Sequence, residues 1–234
     1  RPCALDQAEY ADITLTLNGV TYTGAERAAD VALARAHAGY LGREVPVRAL
    51  CDIRDRAAAL LADAGYLAAV EIPAQSLSGG TPEMRVVLGR LVAVRARGET
   101  RGAEAVLSSY LEQLVGRPVF NVKEAERYLL LANDVPGMEV RLSLRAAEGG
   151  EPGDLVGEIA VLRQEFALDA NVQNWGSEAL GRYAALVRAE AYGLTGLGDR
   201  TAISFFSTLD LQEQQTLQIS HDMRLGGEGL ALGG

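Results

Sequence analysis

Two periodicities divide the chain, and they change near residue 166. Before it, apolar residues recur at helical spacing between short alternating runs. Residues 12–22 alternate around Ile13, Leu15 and Leu17, which predicts a strand. Thr23 with Glu26 three residues on predicts a capping box, opening a helix to about His37 that ends near Gly39. Pro46 predicts the first turn of a second helix, and Leu50, Ile53, Ala57, Leu60, Leu61 and Ala64 form its stripe, with Gly65 as its stop. Residues 67–72 and 84–88 read as strands, giving the order β-α-α-β-β.

The same order returns. Residues 91–97 read as a strand. Ala103, Val106, Leu107, Tyr110, Leu111 and Leu114 keep the i, i+3, i+4, i+7, i+8 spacing of a buried helix face. Asn121 with Glu124 opens another helix, Met138, Val140, Leu142 and Leu144 alternate with Glu139, Arg141, Ser143 and Arg145, and residues 155–162 supply a last strand. Gly42-Arg43-Glu44-Val45-Pro46 aligns with Gly116-Arg117-Pro118-Val119-Phe120, 74 residues later, and the same offset sets Val86-Val87-Leu88 on Ala160-Val161-Leu162. Two matches at one offset point to a duplicated unit.

From Phe166 the period becomes two. Tyr183, Ala185, Val187, Ala189 and Ala191 share one face, with Arg182, Arg188 and Glu190 on the other. Leu217, Ile219, Met223 and Leu225 oppose Gln218, Ser220, Asp222 and Arg224. These runs have the length of tilted membrane strands, and Trp175, Tyr183, Tyr192 and Phe206 stand near their ends, as in an aromatic girdle. A soluble antiparallel sheet with one wet face gives the same alternation, so both readings stay open.

Composition narrows the function. No run of eighteen apolar residues exists among the 234, which excludes a transmembrane helix but not a β-barrel. The net charge is −9 and Lys123 is the only lysine, so the basic patch of a nucleic-acid binder is missing. Residues 1–10 lack the regions of a signal peptide, so an exported protein would have lost its signal already. Cys3 and Cys51 are compatible with one disulfide in an oxidising compartment, or with two separate thiols.

Catalysis is poorly supported. His37 stands near a helix end. Ser220 and His221 are neighbours on a strand and point to opposite faces, so they cannot form a nucleophile–base pair. No His/Cys cluster has zinc spacing, and nothing calls for a cofactor or a metal. Gly226-Gly227-Glu228-Gly229 lacks the setting of a phosphate loop and reads as a turn, and Asp52 and Asp55 read as the wet face of a helix.

Several stretches together resemble one family. Gly65-Tyr66, followed by a strand ending in Pro73-x-Gln75 and then Gly79, resembles the first-domain signature of the polypeptide transport-associated (POTRA) pair in two-partner secretion transporters. Gly137-Met138 with Arg141-Leu142 resembles that family's second exposed strand, and Asn174-Trp175-Gly176, Gly181-Arg182 and Gly196-Leu197-Gly198-Asp199 resemble its first barrel hairpin. The resemblance implies an α+β chain: an N-terminal segment 1–11, POTRA units at 12–92 and 93–165, and the first strands of a transmembrane barrel at 166–234. Roughly four strands fit here, too few to close, and open edges are not viable in lipid, so a fragment of a longer protein is expected.

The resemblance also implies a bacterial outer-membrane location with residues 1–165 in the periplasm, lipid around the barrel, and a secreted hemolysin- or adhesin-type exoprotein as client. A POTRA unit offers an edge strand whose backbone can pair with an extended client. Ala69, Val70 and Glu71 in the first unit, and Met138, Glu139, Val140, Arg141, Leu142 and Ser143 in the second, are the expected client-binding edges. In the second, the client would lie between the edge and the helix beginning near Val122, and a proline at Val140 is expected to impair pairing. An insertase that folds many barrel proteins, and a soluble periplasmic binding module without transport, are the alternatives.

Overall fold

The structure, a computed structural model, describes residues 3–234; the first two residues of the 1–11 segment lie outside the described residues. In chain order the elements are β1 (Thr14–Thr16), β2 (Thr21–Thr23), β3 (Glu44–Pro46), α1 (Ala49–Asp63), β4 (Ala68–Glu71), β5 (Glu83–Leu88) and β6 (Arg90–Gly98). They continue with α2 (Glu104–Glu112), α3 (Val122–Asn133), β7 (Met138–Ala146), β8 (Asp154–Arg163), β9 (Phe166–Gln173), β10 (Ala184–Tyr192), β11 (Arg200–Thr208), β12 (Gln215–Leu225) and β13 (Leu230–Gly233). They fall into two compact units. One takes the chain up to Ala93, with Gly116–Ala125 and Arg145–Val156; the other takes Val94–Val115, Glu126–Leu144 and Gly157–Gly234.

The first unit is built on the sheet β2-β5-β4, with β2 parallel and β4 antiparallel to the central β5. The stripe on α1 buries Leu50, Ile53, Ala57 and Leu61 against Leu17, Met84 and Val86. Each Leu, Ile, Met or Val side chain so removed from water contributes about 1.5–3 kcal/mol, so this face holds α1 in place. Gly65 ends the helix in the left-handed region (φ +92°). Its N–H bonds Ala62 O at 2.8 Å and that of Tyr66 bonds Leu61 O at 2.9 Å, the paired bonds of a Schellman cap. Cys51 on α1 is disulfide-bonded to Cys3, with Cα atoms 6.0 Å apart, which ties residue 3 to this helix.

Three local expectations fail here. The strand expected over 12–22 splits in two: β1 pairs antiparallel with β3, while β2 turns onto β5. Leu15 and Leu17 are buried, but Ile13 is exposed. Pro46 does not open a helix; it ends β3, opposite Thr14. The helix expected from Thr23 to His37 is replaced by short 3-10 turns at Glu26–Ala28, Leu33–Ala36 and Ala38–Tyr40. Thr23 is drawn into β2, and its hydroxyl donates to Glu83 Oε1 at 2.8 Å instead of capping. Ala32 (φ −75°, ψ 72°) then makes an inverse γ-turn, with Leu33 N–H on Val31 O at 2.8 Å, which interrupts any helical ladder.

The second unit contains most of the sheet β6-β8-β7, with α2 and α3 packed on it. Val106, Leu107 and Tyr110 of α2 meet Ala132, Val140, Ile159 and Val161 in one buried cluster. In both sheets the strand at the repeat offset, β5 or β8, is the central one. Asn121 caps α3 as expected, its Oδ1 accepting from Lys123 N–H at 3.0 Å, but Glu124 turns away to Arg117 at 2.5 Å, so the box is half formed. The rest of this unit is an antiparallel meander, β9-β10-β11-β12-β13. Roughly four strands were expected; the short β13, after the turn at residues 226–229, makes a fifth. The α+β class stands.

His37 is buried beside Tyr22, with Nδ1 3.3 Å from the phenol oxygen and the rings stacked at 5.9 Å. Burial lowers the imidazole pKa below its ordinary 6.5 and pushes the Tyr22 phenol up to about 12. Because the folded-state pKa is lowered, the unfolded chain takes up the proton first. Stability is full above about pH 6.5 and is lost as pH falls below it. The urea midpoint of the chain is expected to drop between pH 7.5 and pH 5, and His37→Phe to shrink that drop; equal slopes for the two proteins would refute this account.

Candidate functional site

Both expected edges are edges. β4 is the outer strand of its sheet and β7 of the other. Val70 points into the first core, Ala69 is exposed, and Glu71 pairs across the sheet with Arg85 at 2.7 Å. Beside β4 runs a groove of 1270 Å³, lined by Leu50, Arg54 and Ala58 of α1, by Val70, Ile72 and Leu77, and by Leu5 and Tyr10. On β7, Val140 is buried and Met138, Leu142 and Leu144 are half-buried, while Glu139, Arg141 and Ser143 are exposed.

The backbone of β7 has a definite direction. Gly137 C=O accepts from Gln164 N–H at 2.8 Å, and Ala147 N–H donates to Asp154 C=O at 2.9 Å. Odd-numbered residues therefore address β8, and the N–H and C=O of Val140, Leu142 and Leu144 point away from the sheet. At Val140 those groups are already bonded. Asn133, at the end of α3, accepts from Val140 N–H through Oδ1 and donates to Val140 C=O through Nδ2, both at 2.8 Å.

The signature residues have local roles. In the β4–β5 register, Pro73 would stand opposite Glu83 but has no N–H to offer. The Gln75 carboxamide fills that place: Oε1 accepts from Glu83 N–H and Nε2 donates to Glu83 C=O, both at 2.7 Å. Gly65 lies under the start of α3. Val122 N–H reaches Gly65 O at 2.8 Å, Asn121 Nδ2 reaches Ala64 O at 3.2 Å, and Lys123 Nζ reaches Asp63 O at 2.8 Å. These are the carbonyls left orphaned at the end of α1. Tyr66 donates its hydroxyl to Asp30 at 2.8 Å, and that bond to a carboxylate raises the phenol pKa. Gly79 has open space around it. The position that requires glycine is Gly80 (φ +66°), where a Cβ would lie 2.4 Å from Thr16 O. Only the three-dimensional approach of residues 16 and 80 reveals this.

The meander decides between the two readings of its alternation. Phe166, Leu168 and Val172 are 67%, 74% and 69% exposed, and Val187, Ile203, Phe205, Leu217 and Ile219 lie uncovered on the same face. A soluble sheet buries its apolar face; here the apolar face is the bare one, as in a barrel wall. The other face carries Arg188, Glu190, Arg200, Asp222 and Arg224, linked by ion pairs of 2.6 Å (Arg188–Glu190) and 2.9 Å (Arg200–Asp222). Phe206 and Tyr192 also point to this polar face, so neither belongs to the expected outward girdle.

The turns of the meander meet the helices of the same unit. Gly198 N–H bonds Gly102 O at 2.9 Å, Arg127 pairs with Glu228 at 2.7 Å, and Arg224 donates to Asp134 O at 3.1 Å. Buried Asp199 shapes the turn between β10 and β11, accepting from Thr195 N–H at 2.8 Å and Leu194 N–H at 3.0 Å. His221 bonds Thr201 at 2.9 Å, and Asp55 pairs with Arg54 at 2.7 Å. The contacts of Asn133 with Val140, of Gly80 with Thr16 and of Arg224 with Asp134 have no mark in the local sequence.

Residues 15–89 match the model of the POTRA domain, ShlB-type. The heme/hemopexin transporter protein HuxB of Haemophilus influenzae is 27% identical over 176 residues, 72% of this chain and 30% of HuxB. The chain thus spans 30% of the length of the curated relatives it matches. CdiB from Escherichia coli has the same fold with a TM-score of 0.75 at 19% identity, covering 94% of this chain and 41% of that one. BamA from Haemophilus ducreyi lacking POTRA domains 1–3 gives a TM-score of 0.53 at 14% identity, covering 93% of this chain and 40% of that one. The two structures speak for the fold alone. The ShlB-type domain match and the match to HuxB, a transporter by name, uphold the resemblance to two-partner secretion transporters.

The two signature glycines separate experimentally. A Cβ on Gly65 would lie 2.5 Å from Asn121 Oδ1, at a φ that side chains rarely adopt. Gly65→Ala is expected to cost about 1–3 kcal/mol in thermal unfolding, and Gly79→Ala less than about 0.5 kcal/mol. Equal losses would show that the two glycines are equivalent.

Proposed function

We propose that this chain is the periplasmic capture module and the first wall of an outer-membrane transporter of the two-partner secretion type. Residues 1–165 stand in the periplasm, and residues 166–234 enter the membrane as barrel strands. The bare apolar face of the meander, following directly on two sheets with edge strands, carries the reading. The client is a secreted exoprotein in extended form. Its backbone pairs with β4 and β7, which gives grip without demanding one sequence, while alternate side chains meet the helices and give selection. Lipid covers Phe166, Leu168, Val187 and Ile203, and the polar face of β9–β13 lines the lumen. Export by the whole protein needs no catalytic group from these residues.

An insertase acting on many barrel proteins is the second reading, favoured by the fold shared with BamA. The ShlB-type domain and the match to HuxB, a transporter by name, support the dedicated transporter. The two differ in clientele. Deleting the gene would remove one secreted protein in the first case and deplete many outer-membrane proteins in the second.

Strand pairing is tested at Leu142. Its N–H points away from β8, so a proline there removes a bond to the client and none within the sheet, whereas proline at Val140 would also break the bond to Asn133. Leu142→Pro in the full-length protein is expected to lower secretion of its client exoprotein by about tenfold or more, the equivalent of one or two lost net hydrogen bonds. The barrel should still fold, as judged by heat-modifiable mobility in electrophoresis. Unchanged secretion with an intact barrel would rule out pairing at this strand.

A further inference from the structure

The edge strand β7 is occupied at one position by the protein itself. Val140 has its N–H and C=O turned outward, where a client backbone would bond, and both are held by the single carboxamide of Asn133. An amide side chain offers one acceptor and donors at the spacing of a peptide group, so Asn133 stands in for one peptide unit of an added strand. The same device fills the place opposite Glu83 through Gln75, but there Pro73 belongs to the protein's own chain and the position is closed. At Val140 the substitute lies on an open edge. Asn133 is exposed, and its third bond, Nδ2 to Leu129 O at 2.9 Å, runs back into the last turn of α3, so the side chain can leave without unpacking the core.

We propose that Asn133 is a gate on the second client-binding edge. In the resting protein it covers Val140. Met138 N–H is taken by Val135 O at 3.1 Å, which leaves Leu142 and Leu144 as the entry positions. A client strand pairs first at those two residues and extends to Val140 only by displacing the Asn133 carboxamide, exchanging two side-chain bonds for two backbone bonds. The gate makes capture selective for segments long enough to compete, and it protects the edge from casual strand addition when no client is present. This inference rests on the reading of β7 as a client-pairing edge.

The test uses the full chain in detergent and a fluorescently labelled peptide with the sequence of β7, Met138–Ala146, which presents an alternating strand of suitable length. Binding is read by anisotropy, and protection of the Val140 amide by hydrogen exchange. Asn133→Ala is expected to bind the peptide about tenfold more tightly than the wild type, since the two bonds between Asn133 and Val140 no longer have to be broken. The Val140 amide should exchange quickly in free Asn133→Ala and become protected when the peptide is added; in the wild type it is protected throughout. Asn133→Asp keeps the acceptor and loses the donors, so a smaller gain is expected, and it carries the test if the alanine variant does not fold. Equal or weaker binding by the folded variants overturns the gate. Failure of the wild type and both variants to bind at all, or binding that survives Leu142→Pro, overturns the edge reading itself and is thereby distinguished from failure of the gate.

Discussion

Every sheet in this protein has an edge, and a backbone N–H or C=O at an edge must find a partner or stay in water. That constraint organises both units. Where the chain cannot supply a strand, a side-chain amide takes the place of one: Gln75 completes the register that Pro73 breaks, and Asn133 covers Val140. Where α1 ends, the carbonyls of Asp63, Ala64 and Gly65 are met by Lys123, Asn121 and the N–H of Val122. Gly65 and Gln75, which the sequence presents as unrelated signature residues, thus answer the same physical requirement at two places.

The meander answers it differently. Its strands pair in sequence, each with the next, and its apolar side chains lie on the face that nothing covers. In water such a face would be a liability of several hundred Å². In lipid it is the required surface, and the backbone must then be satisfied entirely by strand pairing. The polar face can hold Arg188, Glu190, Arg200 and Asp222 because they neutralise one another along β10 and across to β11 and β12.

The sequence made legible whatever depends on local period. The stripes of α1 and α2, the alternation of β7, and the strands from Phe166 onward all follow from side-chain spacing. Features set by distant partners were not legible. Thr23 and Glu26 satisfy a capping box on paper, yet Thr23 joins a strand because Glu83, sixty residues away, offers its carboxylate. The pairing of β1 with β3, the need for glycine at position 80 and the bond from Asn133 to Val140 are equally tertiary. For the client-binding edges, the strands could be named from their alternation, but which backbone groups are free could not. That depends on the register between β7 and β8, which two bonds at its ends define.

The end of α3 is where the two halves of the second unit share a support. Asn133 holds the edge strand at Val140. The carbonyl of the next residue, Asp134, accepts from Arg224 on β12. Arg224 in turn pairs with Asp222, and Asp222 with Arg200 on β11. A short chain of hydrogen bonds and ion pairs therefore runs from the edge of one sheet into the polar face of the other, through two consecutive residues of a helix terminus. A helix end is well suited to this place, because its last carbonyls have no partner within the helix and accept whatever donors the neighbouring strands bring.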